Sequence, residues 1–571
     1  MNSLQAWLPF LKWPRLSAQL FRQEWLAGFS VALLMVPQSV AYAALAGMPL
    51  VTGLYAALLP AVVGVMWGGS TRLSIGPSAL TCVLISASLA GMAQPASSHW
   101  VHLAVWLALI AGALQLLMGV MRYGWLLNLI SSPVMMGFTQ AAGLLVMASQ
   151  LPAITGWQAG GSVQVSDLAF GLISLAALFA AKKWLPKWPS IMLVVAASAV
   201  ISYAIGFAEQ GGAVIGALPT SLPELSLPPL ITWTELGMLA GPAVLIALVS
   251  FLEAASSAKT ENQKDGTLWQ ENQDLIGQGL AKITSALCGS FATSTSFSRS
   301  AISLASGAKT GWAVIGTTSF VLLAVFASPA LFHVPRAVLA AIVILAVSSL
   351  IQPKAFVKLW HISRIEAITA GLTFAITLLS TPRIYWGVLA GVLMGLSHFL
   401  HTRLHPRIIE VGLHEDGSLR DRHLWQLPAI TSDVLALRMD AELDFAAASS
   451  FEKYITEKLR DLPHIQHVCL FAQPINRIDA TGVETMQQLR KQLAQGHIQL
   501  HISGIKLPVE KALRLAGELN GNDGVRLYRT DIEAIDDAHQ RFPVAHHQSA
   551  RFDADGVFPL HGLEFLVDPL T

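Results

Sequence analysis

Charge is what this chain has least of. Lys, Arg, Asp and Glu make up 12% of its 571 residues, about half the share found in soluble domains. Hydrophobic residues reach 53%, so a soluble globular protein is excluded and a membrane protein expected. The two signs almost cancel, 36 Lys and Arg against 35 Asp and Glu, which gives no hint of a nucleic-acid partner. Cysteine is scarce too. Cys82, Cys288 and Cys469 lie far apart, which implies neither a disulfide framework nor a thiolate metal cluster. The chain has no P-loop, no nucleophile elbow and no zinc spacing, so no enzyme, cofactor or metal site is expected. A signal peptide is also missing; Lys12, Trp13, Pro14, Arg15 and Arg22 suggest an amphipathic lead-in on the cytoplasmic surface.

What is there is a long alternation of apolar blocks and short polar joints between residues 25 and 400 or so. Candidate spans cover 27–46, 50–67, 77–92, 99–120, 129–150, 168–181 and 190–206, then 238–258, 276–290, 297–308, 313–332, 337–351, 365–380 and 384–400. Several fall short of the roughly 20 residues a full crossing needs. Lys and Arg cluster in alternate joints: Lys12, Arg15 and Arg22 before the first span, then Arg72, Arg122, Lys182, Lys183 and Lys187. Lys259, Lys264, Lys309, Lys354, Lys358, Arg364, Arg403 and Arg407 continue the pattern. The joints 151–167 and 207–235 have neither residue. Positive charge stays inside, which puts both termini in the cytoplasm, with Arg336 and Arg383 as exceptions on the outer side. About fourteen spans in two sets of seven satisfy this, and two odd-numbered halves must run in opposite directions, the condition for an inverted repeat.

One stretch organises the rest: Thr293-Ser294-Thr295-Ser296-Phe297-Ser298-Arg299-Ser300. Hydroxyls and a cation crowd a hydrophobic region, and an intramembrane arginine marks a functional site by default. The apolar run behind it is too short to cross a bilayer. Ser296 or Ser298 is expected to cap a half-helix whose free N–H groups and positive dipole end point inward with Arg299, making an anion site. Ser74-Ile75-Gly76-Pro77-Ser78-Ala79 precedes a second short segment, with Pro77 expected near the first helical position. Interrupted segments in corresponding places of two halves point to a transporter binding site. In the first span, Gln38 and Tyr42 are four apart and share a helix face. Pro37 there frees a carbonyl and bends the helix, as happens where a cavity is lined.

The run Pro37-Gln38-Ser39-Val40-Ala41-Tyr42-Ala43-Ala44-Leu45-Ala46-Gly47, then Pro49, Gly53-Leu54-Tyr55 and Pro60, resembles the signature of the SulP (sulfate permease) anion transporters. Gly69-Ser70-Thr71-Arg72, Gly76-Pro77 and Ser296-Phe297-Ser298-Arg299-Ser300-Ala301 continue the match. The resemblance covers nearly the whole chain. It implies a polytopic α-helical membrane protein of about fourteen spans, a 7+7 inverted repeat with core and gate domains, followed by a small α/β STAS domain. It also implies a dimer, and an anion bound between the half-helices at spans three and ten. Substrate contacts are expected from Gln38, Tyr42, Pro77, Ser78, Ala79, Phe297, Ser298 and Arg299. The polar joint Asn262 to Gly279 also resembles the family and is assigned no ligand role.

Glu253 stands well inside the eighth span, which corresponds to span one of the repeat, so it is expected to face the same cavity as Gln38. There it would take a proton in one state of the cycle and release it in another, or else form a fixed ion pair with Arg299. In the family, acidic residues here are linked to proton or sodium coupling, and a Glu favours the proton.

The expected domains are 1–24 lead-in, 25–405 transport domain, 406–430 linker, 431–541 STAS domain and 542–571 tail. After Arg407 charges become frequent, and strands at 434–439, 467–471, 498–502 and 525–528 alternate with helices at 445–459, 483–493, 508–516 and 531–541. Asn476-Arg477-Ile478-Asp479-Ala480-Thr481-Gly482 resembles the STAS loop that ends in a phosphorylatable residue, here Thr481; it also reads as a helix cap. His546-His547 in the tail is read as solvated surface. Transport of a small inorganic oxyanion, sulfate first, is the expected function, in the inner membrane, with a proton or sodium as coupling ion. Bicarbonate or a C4-dicarboxylate, an uncoupled channel or exchanger, and a signalling scaffold are the alternatives. A cytoplasmic regulator is a possible partner of the STAS domain.

Overall fold

The computed structural model describes residues 8–157, 164–184, 189–348, 350–381, 383–519 and 525–541. The tail 542–571, with His546 and His547, and Lys187 lie outside the described residues. The chain divides into two units, Met1–Leu396 and Ser397–Thr571.

In the first unit, α1 (Ala18–Leu45) starts seven residues before the expected boundary at 25, because the Ser17 hydroxyl accepts from Leu20 N at 3.2 Å and caps it. Pro37 sits inside α1 without ending it. The second span is broken into α2 (Leu50–Ala56) and α3 (Leu59–Trp67), with Pro60 at the start of the second piece. After β1 (Ile75–Gly76) come α4 (Ala79–Leu89), α5 (Ser98–Val120), α6 (Ser132–Ser149), the short α7 (Leu151–Thr155), α8 (Val165–Trp184) and α9 (Ser190–Ala204). The second set is α10 (Trp233–Asp265), α11 (Glu271–Leu287), β2 (Ser294–Thr295), α12 (Phe297–Ala305), α13 (Trp312–Phe326) and α14 (Arg336–Ser348). It ends with α15 (Pro353–Ile362), α16 (Arg364–Leu379) and α17 (Tyr385–Leu404). Each expected span is occupied by helix. The two shortest spans, α4 with 11 residues and α12 with 9, hold the third place in each set of seven.

These helices sort into two packed groups. In one, α5 lies on α10 and α11, α3 on α11, and α1 on α13; in the other, α6 lies on α16 and α8 on α9 and α14. Spans one to four thus join spans eight to eleven, and the remaining three of each set join one another, as core and gate domains require. Small residues permit the closest crossings. A Cβ added to Gly112 of α5 would stand 2.8 Å from Gly279 O of α11, and one added to Gly277 would stand 2.5 Å from Gly64 O of α3.

The second unit is a six-stranded sheet in the order β4-β3-β5-β6-β7-β8. Strands β5 (Val434–Met439), β6 (His467–Phe471), β7 (Gln499–Ser503) and β8 (Val525–Tyr528) are parallel. Helices α18 (Ala448–Asp461), α19 (Ala480–Gln495), α20 (Leu507–Leu515) and α21 (Asp531–Arg541) alternate with them. The stretch 406–430, expected as a linker, instead forms the antiparallel hairpin β3 (Ile408–Leu413) and β4 (Leu419–Asp421), and β3 pairs with β5. A charged residue in the middle of β3, Glu410, hides the strand pattern, yet it is buried and paired with Arg422 and Lys458.

Candidate functional site

Strands β1 and β2 are two residues each and pair antiparallel, Ile75 with Thr295 and Gly76 with Ser294. That pairing brings α4 and α12 together at their N-termini, so the positive ends of two half-helices meet. Ser296 N donates to Ser74 O at 3.0 Å and Ser74 N to the Ser300 hydroxyl at 3.0 Å, which extends the join. The loop before β1 is anchored from below. Asp274 accepts from Ser70 N (2.8 Å), the Ser70 hydroxyl (2.7 Å) and Trp269 Nε1 (2.7 Å). Glu261 accepts from Thr71 N and from Arg72 Nε, while Arg72 also reaches Asp265. The polar joint between spans eight and nine therefore clamps Gly69-Ser70-Thr71-Arg72.

Ser78 is the N-cap of α4: its hydroxyl accepts from Thr81 N at 3.3 Å. Pro77 thus stands outside the helix, not at its first position, and Ala79 is the first helical residue. Ser296 rather than Ser298 holds the N-cap position of α12, without a side-chain cap bond. Phe297 is 54% exposed and Ser298 is exposed as well, whereas Arg299, on the other face of this short helix, is 0% exposed.

Arg299 is engaged on every nitrogen. Nε donates to the Ser74 hydroxyl (3.1 Å), Nη1 to Gln38 Oε1 (3.3 Å) and Nη2 to Pro77 O (2.9 Å). At least three of its five N–H groups are directed at the protein. The guanidinium was expected to reach inward as a free anion donor. It is instead a strut that ties α1 and both half-helix tips together, because a buried guanidinium must find acceptors. It still places a positive charge behind the tips. Tyr42 is buried one turn beyond Gln38 on α1.

Glu253 belongs to the other tip. Its Oε2 lies 2.9 Å from the Ser78 hydroxyl, 3.4 Å from Thr81 Oγ1 and 2.5 Å from the Ser294 hydroxyl. Among the described residues Glu253 makes no ion pair with Arg299, so the fixed pair weighed above does not form. Gln38 attends one half-helix and Glu253 the other, as the repeat requires. Ser74, Thr81 and Ser294 complete the set and went unassigned in the sequence, where runs of serine and threonine do not say which hydroxyl points inward. Lys282 also escaped. It sits inside the expected ninth span, and an intramembrane lysine is itself a signal. Among the described residues no group of three or more His, Cys, Asp or Glu is placed to hold a metal ion.

Two family models match the chain: that of the sulfate permease family over residues 21–373 and that of the STAS domain over 428–531. The chain belongs to the sulfate permease family. This family member is a multi-pass membrane anion transporter with a STAS domain after its helical unit. It is 30% identical to the probable sulfate transporter 4.2 of Arabidopsis thaliana, over 90% of this chain and 80% of the relative. The solved structure of the murine solute carrier 26 family member A9 anion transporter matches with a TM-score of 0.84 and 19% identity, covering 94% of each chain. The transmembrane domain of the cyanobacterium bicarbonate transporter BicA matches with a TM-score of 0.57 and 19% identity, over 67% of this chain and 98% of that one.

Thr481 is the second residue of α19 and is exposed. Asp479 caps that helix, Oδ1 accepting from Gly482 N at 2.8 Å and Oδ2 from Phe445 N at 2.9 Å.

Proposed function

We propose that this sulfate permease family member carries sulfate into the cell together with a proton, by alternating access, with the anion held between the tips of α4 and α12. The observation that carries this reading is the placement of Glu253, with three hydroxyls around one carboxylate oxygen at the very N-terminus of α4. A dianion arriving there meets N–H groups and a positive dipole end, but it also meets Glu253. A proton on Glu253 removes that repulsion and turns the carboxyl into a donor, so proton and anion favour one another. Arg299 acts chiefly by its field, since at least three of its five N–H groups are taken by Ser74, Gln38 and Pro77. Gln38 and Tyr42 line the same region from α1, Pro77, Ser78 and Ala79 from α4, and Phe297 and Ser298 from α12. The distribution of Lys and Arg supports cytoplasmic termini and a cytoplasmic STAS domain in a bacterial-type inner membrane. A homodimer, and a regulator acting on the STAS domain through Thr481, complete the proposal.

Purified protein in liposomes tests it, with labelled sulfate, bicarbonate and succinate supplied under imposed proton or sodium gradients. Sulfate uptake is expected to rise with an inward proton gradient, and E253Q is expected to take up sulfate at a rate indifferent to that gradient. Unchanged proton dependence in E253Q ends the coupling role of Glu253. Uptake driven by sodium, or a preference for bicarbonate or succinate, replaces the substrate or coupling ion by the one observed.

A further inference from the structure

Lys282 lies on α11 four residues after Gln278, hence on the same helix face. Its side chain is fully buried, in the group of helices that carries the half-helix tips. The crossing with α5 is tight there, since a Cβ on Gly112 would come within 2.9 Å of Lys282 Cβ. Among the described residues its Nζ has no hydrogen-bond partner. Buried lysines that serve structure are paired with a carboxylate, or they snorkel to water along their stems. Lys282 does neither. It lies instead within electrostatic reach of Glu253. Among the described residues Gln278 Oε1 on the same helix and Thr293 Oγ1 just beyond it also lack partners, although Gln278 Nε2 is fixed on Thr295 Oγ1 at 2.8 Å.

Resting on the proposed sulfate–proton reading, we infer that Lys282 is the residue that matches the site's charge to a dianion. With a proton on Glu253 and an anion at the tips, the site holds two positive charges, the Arg299 guanidinium and a Lys282 ammonium whose proton the anion itself retains. A doubly charged anion brings the loaded site to neutrality. A singly charged anion leaves one cation uncompensated in a medium of low dielectric, which is strongly unfavourable. Remove Lys282 and the balance moves: the protonated site then holds one positive charge and is matched by a monoanion. Lys282 touches no substrate in this account. It acts through the field at the half-helix tips, and it explains why a lysine amine sits buried without a protein partner.

The test is selectivity rather than rate. Wild type, K282Q and K282R are reconstituted as full chains, and uptake of labelled sulfate is compared with that of labelled chloride and bicarbonate at fixed pH. The sulfate-to-chloride ratio is expected to fall about tenfold or more in K282Q, equivalent to 1.4 kcal/mol of discrimination. K282R, which keeps the charge, is expected to hold the ratio within about threefold. A merely structural lysine would lower uptake of all three anions together. K282M, of similar length without the charge, serves as the second neutral variant if K282Q fails to assemble. An unchanged ratio in a neutral variant overturns the assignment of Lys282 while the sulfate–proton reading stands. A folded K282R that loses the ratio as K282Q does overturns it too. Wild type that prefers chloride or bicarbonate overturns both.

Discussion

In the C-terminal sheet Glu410 is 4% exposed, yet it meets Lys458 at 2.6 Å, Arg422 at 3.1 Å and His423 at 3.2 Å. Burial works against its charge, but the Lys458 hydrogen bond and charge, then His423 and Arg422, more than offset this and hold the carboxyl below the usual range. At the half-helix crossing the burial is as deep and the outcome different. Among the described residues Lys282 Nζ, Gln278 Oε1 and Thr293 Oγ1 are enclosed without partners, and Glu253 draws three hydroxyls to one oxygen. Buried polar groups with their partners supplied by the protein specify a fold. Buried polar groups with capacity left over are costly to the fold and make sense where a ligand completes them. Within the crossing itself the same division recurs: Arg299 is held by Ser74, Gln38 and Pro77, whereas Glu253 is held by hydroxyls alone, on one oxygen.

The sharpest way to break this contrast is to remove Arg299. R299M leaves Gln38 Oε1, Pro77 O and the Ser74 hydroxyl without their donor, and stranding buried neutral partners costs about 1–3 kcal/mol. Sulfate uptake is expected to drop to background and the thermal unfolding midpoint to fall. R299K keeps the charge but not the planar fork, so it cannot span three directions at once and is expected to rescue little. Uptake near wild type in R299K would mean that charge alone matters and the strut does not. A smaller effect belongs to the Glu253 side. S78A removes the cap of α4, worth about 1 kcal/mol, and is expected to raise the KM for sulfate about fivefold while the protein still assembles. An S78A variant with unchanged KM would place the anion elsewhere.

The membrane unit was legible because a bilayer demands uninterrupted apolar helix, and the interruptions at Gly76-Pro77 and Ser296-Phe297-Ser298-Arg299 stand out against that demand. Direction was not legible. A serine or arginine in such a stretch can face its own scaffold or a guest, and only the pairing of Ile75 with Thr295 turns the Arg299 side chain back onto Pro77 and Gln38. Lys282 was overlooked for the opposite reason, since one cation in a long apolar block blends into the average. The hairpin 408–421 was lost because Glu410 breaks the alternation, and its partners Arg422 and Lys458 are 12 and 48 positions away. Helix ends moved wherever a cap intervened, as Ser17 shows for α1.

The last expected effect tests whether the sheet's polar groups really are closed. Tyr528 O–H donates to Asp537 at 2.6 Å, so its oxygen must accept from His501 Nδ1–H at 2.9 Å. His501 Nε2 is then an acceptor and takes the Nδ1–H of His467 at 2.9 Å. The run has one direction with His501 neutral: a second proton would turn its Nε2 into a donor and force His467 to give up its Nδ1–H. Burial, followed by the nearby His467 and Arg526, pushes His501 down to about 4 from its ordinary 6.5, with Asp537 pulling the other way. The folded state therefore binds this proton less readily than the unfolded state. Stability is full above pH 6.5 or so and is lost as pH falls toward 4, by about 2 kcal/mol between pH 7 and pH 5. Hydrogen-exchange protection along β7 in the intact protein is expected to fall by that amount, and H501N is expected to flatten the dependence. If β7 protection holds at pH 5, the run tolerates the extra proton and these groups keep capacity in hand, as those of the membrane crossing do.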